Sequence, residues 1–319
     1  MAKEREVQTS LDPTINTTAK RAHKPFPIFK ILLGLCLVVL FLVWAIIPAI
    51  RGYTLVENKR HFVPQATSAG IPVKDVQFQA VDGVRLSGWL ALASPKAPTI
   101  ILVHGFKENR MGMLPDARFL YQAGYNVLLY DSRGCGASDG WEITLGAREP
   151  DDVLGAMRYL KGRSDLLNKH FGLMGNSLGA GIVLLAAARE PAILATVADS
   201  SWIDEHAQLD RMYDIPVGRL TLPLLPYEPA LVDQLIGAKL ADTRPLAVIH
   251  QIAPRAVFLI HSSDDQNATT PPSGEHQLFA AAGEPKQEWI APSGGHTGAL
   301  KAHPQEYTQR VLSYFAHYL

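Results

Sequence analysis

Residues 171–189 read FGLMGNSLGAGIVLLAAAR. The opening Phe171–Met174 is apolar and suits a strand buried on both faces, whereas Leu178–Arg189 has the Leu and Ala content of a helix. Between them stands Gly175-Asn176-Ser177-Leu178-Gly179. A serine flanked by glycines at this spacing fits a tight turn from strand to helix. The small neighbours give clearance, and the hydroxyl is held out at the apex. The helix beginning at Leu178 would aim its N-terminal N–H groups at the same point, where they favour developing negative charge.

Outward from this unit the chain alternates strands with helices. Val76–Ala80 and Val84–Leu92 read as a hairpin around Asp82-Gly83. Thr99–Val103 (TIILV) and Asn126–Tyr130 (NVLLY) are continuous apolar runs, as expected of buried parallel strands. Ile193–Ala198, Val257–Ile260 and Gln287–Ile290 read as further strands. Leu114–Ala123, Asp151–Leu160, Glu275–Ala282 and Pro304–Leu319 read as helices. This rhythm predicts an α/β fold with a mostly parallel sheet covered on both faces. Residues 203–249 break it. They carry Pro216, Pro223, Pro226, Pro229 and Pro245, with Tyr213 and Tyr227, and read as a cap insertion over a site.

A serine hydroxyl is a weak nucleophile without a base. Among eleven histidines, His296 stands out in the Gly-rich loop Ser293-Gly294-Gly295-His296-Thr297, after one strand and before the last helix. An acid must orient that histidine. Asp264 and Asp265 follow the strand Val257–Ile260, and Asp199 follows Ile193–Ala198. The order Ser177, Asp265, His296 is that of a nucleophile-elbow hydrolase, and it differs from other serine hydrolase orders. Two backbone donors would form an oxyanion hole: Leu178 N–H, just after the serine, and Phe106 N–H in the loop His104-Gly105-Phe106 after Thr99–Val103.

These motifs, in order, resemble the α/β-hydrolase superfamily from about Val73 to Leu319. They are His104-Gly105-Phe106, the turn Asp131–Ser138 (DSRGCGAS), the Ser177 elbow, the strand ending before Asp265, and Gly295-His296. Within it the chain resembles membrane-anchored serine hydrolases of the Bem46 and ABHD type and prolyl-peptidase-like hydrolases. The resemblance implies Ser177 as nucleophile, His296 as base, Asp265 as acid, and Phe106 and Leu178 as oxyanion donors. The family usually has a glycine three residues before its acid, where this chain has Ser262. Arg133 falls in a turn that is structural in the family. The implied reaction is cleavage of an ester or thioester through an acyl-enzyme, with no cofactor and no metal. Acyl transfer or peptide cleavage on the same triad is the alternative, and a non-catalytic binding module the more distant one.

The N-terminal segment carries a candidate membrane span. Ile31–Ile50 (ILLGLCLVVLFLVWAIIPAI) is twenty residues without a charged or amide side chain. At about 1.5 Å per residue it matches a hydrocarbon core of about 30 Å. A cleaved signal would have a shorter apolar region and a small-residue cleavage site. Pro48 is expected in the last turn. Lys20, Arg21, Lys24 and Lys30 precede the span, and Arg51, Lys59 and Arg60 follow it. That balance puts the tail inside and the catalytic domain outside the cytoplasm. The expected organisation is a tail over 1–30, a transmembrane helix over 31–50, a connector over 51–72 and a catalytic domain over 73–319.

Of 319 residues, 30 are Lys or Arg and 30 are Asp or Glu, so the formal charge is zero and nucleic acid is not the expected partner. Cys36 lies in the span and Cys135 in the catalytic domain, so no internal disulfide is expected. The expected partners are a small-molecule or lipid-like acyl substrate and the bilayer around 31–50. The apolar segment Leu220–Leu225 (LTLPLL) adds to the lipid-like expectation. The substrate itself and the oligomeric state are not legible in the chain.

Overall fold

The computed structural model describes residues 28–319 apart from 59, 205–213, 218–219 and 224–227. The chain divides into two compact units, Met1–Ala45 and Ile46–Leu319. Helix α1 is Ile28–Val56. It is long and apolar enough to cross a membrane or to serve as a signal sequence, and none of its most apolar stretch is buried. It runs farther than the expected 31–50, and Pro48 therefore stands inside it, not in its last turn. The fixed proline φ suits a helix, at the loss of one backbone hydrogen bond.

The second unit is built on an eight-stranded sheet. Its strands are β1 (Lys74–Gln79), β2 (Arg85–Ala91), β3 (Thr99–Val103), β4 (Asn126–Tyr130), β5 (Phe171–Asn176), β6 (Ile193–Asp199), β9 (Ala256–Ser262) and β10 (Lys286–Ala291). The order is β1-β2-β4-β3-β5-β6-β9-β10. β1 and β2, and β2 and β4, pair antiparallel; every later pair is parallel. The parallel strands read as unbroken apolar runs because both faces are covered. In β3, Ile100 and Leu102 enter one core while Ile101 and Val103 enter the other. This is the two-residue period of a pleated strand.

The first core packs α3 (Glu149–Lys161), α4 (Leu178–Arg189), α5 (Glu228–Ile236) and α7 (Pro272–Ala281) against the sheet. The second packs α2 (Leu114–Gln122) and α9 (Pro304–Tyr318). Besides four single-turn 3-10 helices, the remaining elements described are the short helices α6 (Pro245–Val248) and α8 (Ala299–Ala302) and a hairpin of β7 (Asp214–Val217) and β8 (Leu220–Pro223). Much of the expected cap, including Tyr213, Pro226, Tyr227 and the end of Leu220–Leu225, lies outside the described residues. Its second half is core: Val232, Ile236, Leu240 and Ile249 are buried in the α4-side cluster.

The turn after β4 is tied down by buried charge. Arg133 is buried and pairs with Asp152 Oδ1 at 2.7 Å and Asp82 Oδ2 at 2.7 Å. Asp131 accepts from Arg110 Nε, Nη2 and backbone N–H. Breaking one partner of such a pair strands the other in the interior. Arg133→Met is therefore expected to destabilise the unit by about 3–5 kcal/mol, as read by thermal or urea denaturation in detergent. A loss below about 1 kcal/mol, the scale of an exposed pair, would refute that role.

Candidate active site

Four loops at the carboxyl ends of parallel strands converge, which is where open α/β sheets bind ligands. The loop after β3 carries Phe106, the β5–α4 turn carries Ser177, the loop after β9 carries Asp265, and the loop after β10 carries His296. Ser177 has φ 52° and ψ −118°. A side chain at positive φ is strained, and the turn tolerates it because its neighbours lack Cβ atoms. A Cβ on Gly175 would collide with the Gly179 carbonyl, and one on Gly179 with the carbonyls of Val103 and His104. The first turn of α4 thus sits directly on the end of β3. Of the five non-glycine residues with positive φ among those described, Lys107, Ser177, Ser200 and Thr297 are in these converging loops or at the end of β6. Strain of this kind gathers at functional sites.

The three expected side chains meet. Ser177 Oγ is 2.8 Å from His296 Nε2, and His296 Nδ1 is 2.9 Å from Asp265 Oδ2. A carboxylate only accepts, so Nδ1 carries the proton and Nε2 is left to accept from the serine hydroxyl. The Thr270 hydroxyl lies 3.1 Å from the same Nδ1. The Asp265 side chain is fully buried, and that of His296 is about a quarter exposed, at 26%. The other acids are elsewhere. Asp264 accepts from the Gly295 N–H, whereas the His296 ring nitrogens are partnered by Ser177, Asp265 and Thr270. Asp199 accepts from the Tyr307 and Ser200 hydroxyls, and its carbonyl accepts the Ser177 N–H.

The loop after β3 is held from within. His104 Nε2 accepts the Ser132 N–H, so the proton sits on Nδ1, which donates to the Gly105 carbonyl at 2.8 Å. Burial pushes His104 below the ordinary histidine range, in keeping with a neutral ring. Glu108 Oε2 accepts the Gly105 N–H at 3.1 Å.

Sequence reasoning missed His261. Its Nε2 lies 3.0 Å from Asp265 Oδ2 and its Nδ1 3.3 Å from Glu275 Oε2, with all three side chains fully buried. The contact with Asp265 is electrostatic, since that nitrogen has no aligned hydrogen-bond partner. Burial pushes the His261 imidazole down, but the Glu275 hydrogen bond and the charges of Glu275 and Asp265 hold it above its ordinary value. The available signal was a histidine ending the apolar run Val257–Ile260, four residues before the acid.

A cavity of about 420 Å³ opens beside the elbow, lined by Glu108, Met113, Asp116, Asn176, Asp199 and Tyr307 among others. Asp116 is buried there and its Oδ1 has no partner. Burial, with repulsion from Asp199, pushes its carboxyl up to about 8. Among the described residues no group of three His, Cys, Asp or Glu side chains could hold a metal ion.

Such a sheet, with a serine at a strand–helix elbow, defines an α/β-hydrolase of the esterase and hydrolase kind. More narrowly, the chain belongs to the X-Pro dipeptidyl-peptidase (S15) family, whose profile matches residues 52–217. It is 34% identical over 152 residues to a polyketide transferase, GrgF, of Penicillium, a match covering 47% of this chain and only about half, 52%, of that relative. It is 30% identical over 237 residues to the protein Rv2307c of Mycobacterium tuberculosis, covering 73% of this chain and 76% of that one. The Pyrococcus furiosus esterase Pf2001 shares the fold, with a TM-score of 0.66 and 24% identity over 82% of this chain and 99% of that one. The structure of the Penicillium GrgF hydrolase aligns with a TM-score of 0.62 and 26% identity, over 78% and 99%.

A carboxyl that keeps its proton in the folded chain, up to about 8, but loses it near 3.8 when unfolded makes stability fall as pH rises between those values. Asp116→Asn removes that loss. The variant's melting temperature relative to wild type is expected to improve from pH 5 to pH 8. An unchanged difference at the two pH values would rule out a buried, protonated Asp116.

Proposed function

We propose that the chain is a membrane-anchored serine hydrolase that cleaves an ester or thioester through an acyl-enzyme. The observation that carries this is the unbroken line from Ser177 Oγ through His296 to Asp265, at 2.8 and 2.9 Å. Ser177 attacks the acyl carbonyl while His296 Nε2 takes its proton. Asp265 holds the imidazole in the needed tautomer and stabilises the imidazolium. The Leu178 and Phe106 N–H groups donate to the oxyanion. His296 then gives its proton to the leaving alcohol or thiol. A water deprotonated by His296 releases the acid and regenerates Ser177.

A second reading has support of its own: similarity to a polyketide transferase favours transfer of the acyl group to an acceptor other than water. Measuring free acid against acceptor-bound product from one activated acyl substrate separates the two. The anchor is residues 31–50, within the long apolar α1, and the Lys and Arg balance around it favours an extracytoplasmic catalytic unit. An acceptor site for glycosylation added to an exposed loop of that unit should be used in a translocating system; an unmodified chain would reverse the orientation.

A fluorophosphonate probe is expected to label the wild type and spare Ser177→Ala. Asp265→Asn should lower kcat/KM on the order of 10³–10⁴-fold, because the histidine loses its tautomer, while Asp264→Asn stays within about twofold. Equal losses at the two aspartates would displace Asp265 from its role.

A further inference from the structure

The chain leaving α1 is bonded to the mouth of the site. The Tyr53 ring stacks on Trp141, with centroids 6.1 Å apart. The Thr54 carbonyl accepts from Lys107 Nζ at 2.5 Å, and that ammonium also lies 5.2 Å from the centre of the Phe106 ring. Asn109 Nδ2 donates to the carbonyls of His61 and Phe62. Arg60 reaches the Gly140 carbonyl, and Ile143 N–H donates to Val56. Tyr53, Thr54, Val56, Arg60, His61 and Phe62 are therefore strapped to the two loops that carry Phe106 and Trp141.

This strip gathers the exposed aromatics of the catalytic unit. Among its described residues, the large aromatic side chains left exposed are Tyr53 (45%), Phe62 (84%), Phe106 (37%) and Trp141 (48%). Lys107 and Arg60 lie among them. Amphipathic aromatics interleaved with cations are the composition of a membrane–water interface, with the cations suited to anionic headgroups. Connectivity points the same way. Tyr53 follows Ile50 by less than one helical turn, about 5 Å along the axis.

We propose that this strip is a docking face for an anionic phospholipid surface, which presents the Phe106 loop to acyl esters dissolved in that leaflet. The proposal rests on the anchor reading above. An amphiphile need then not leave the bilayer for its carbonyl to reach Ser177. Water-soluble short-chain esters would reach the same serine from solution, without using the strip.

The test uses the full-length chain in phosphatidylcholine–phosphatidylserine vesicles. A long-chain ester dissolved in the vesicles is compared with a short-chain ester in water, for wild type, Phe62→Asp and Trp141→Ala. For both variants, kcat/KM on the vesicle ester should fall about tenfold while the soluble ester is unchanged. Equal losses on both esters, or none on the vesicle ester, would overturn the proposal. A second readout does not need catalysis. An environment-sensitive thiol probe is placed at Phe62→Cys in a Cys36→Ala chain, where Cys135 is buried and its thiol pushed up out of reactive range. Its emission should shift to the blue in vesicles and be quenched by headgroup-borne quenchers. An aqueous spectrum from a chain that floats with the vesicles sinks the docking face and leaves the anchor standing; a chain that does not float sinks both. A chain without esterase activity whose probe is still quenched retains the docking face and loses the hydrolase reading.

Discussion

The backbone at Ser177 has no room for anything but what is there. Positive φ at a serine costs on the order of 1–3 kcal/mol. It persists because β5 runs in mid-sheet between β3 and β6 and because Leu178–Ala187 is buried along its whole length. Each fully buried Leu, Ile or Val in that helix contributes about 1.5–3 kcal/mol, so its packing outweighs the strain several times over. The same crowding places α4 on the end of β3. The elbow that carries the serine is thereby held against the loop that follows β3, through one close approach between Gly179 and the Val103 and His104 carbonyls.

The acid side of the site depends on burial more than on the loop that bears it. Asp265 and Asp264 are neighbours in sequence, yet one side chain is fully buried while the other is open to solvent. Asp264 ties the Gly295 peptide and so shapes the loop in which His296 sits. Asp265 lies between two imidazoles, His296 and His261, with Glu275 behind the second. The charges around Arg133 and Asp131 hold the turn after β4 in the same fashion.

The end of α1 belongs with this machinery. The family match begins at residue 52, and the carbonyls of Thr54, Val56, His61 and Phe62 are hydrogen-bonded to the loops that follow β3 and β4. The stretch expected as a connector is in fact helical through Val56, whose side chain is wholly buried in the α4-side core.

Period and punctuation were enough for the sheet. The runs Thr99–Val103, Asn126–Tyr130 and Leu178–Arg189 are elements with those same bounds, because strands covered on both faces and a buried helix advertise themselves as unbroken apolar runs. Gly-x-Ser-x-Gly marked the elbow because the turn's glycines stand next to its serine in sequence, although what Gly179 clears is the distant end of β3. Choosing among three aspartates was different. Asp199, Asp264 and Asp265 each follow a strand, and only the packing of β6, β9 and β10 decides which carboxyl faces His296 Nδ1. His261 stayed hidden for the same reason: its partners, Asp265 and Glu275, are meaningful only once the β9 end and α7 are folded together. Contacts between distant segments carry no local period, so the tertiary structure alone decided them.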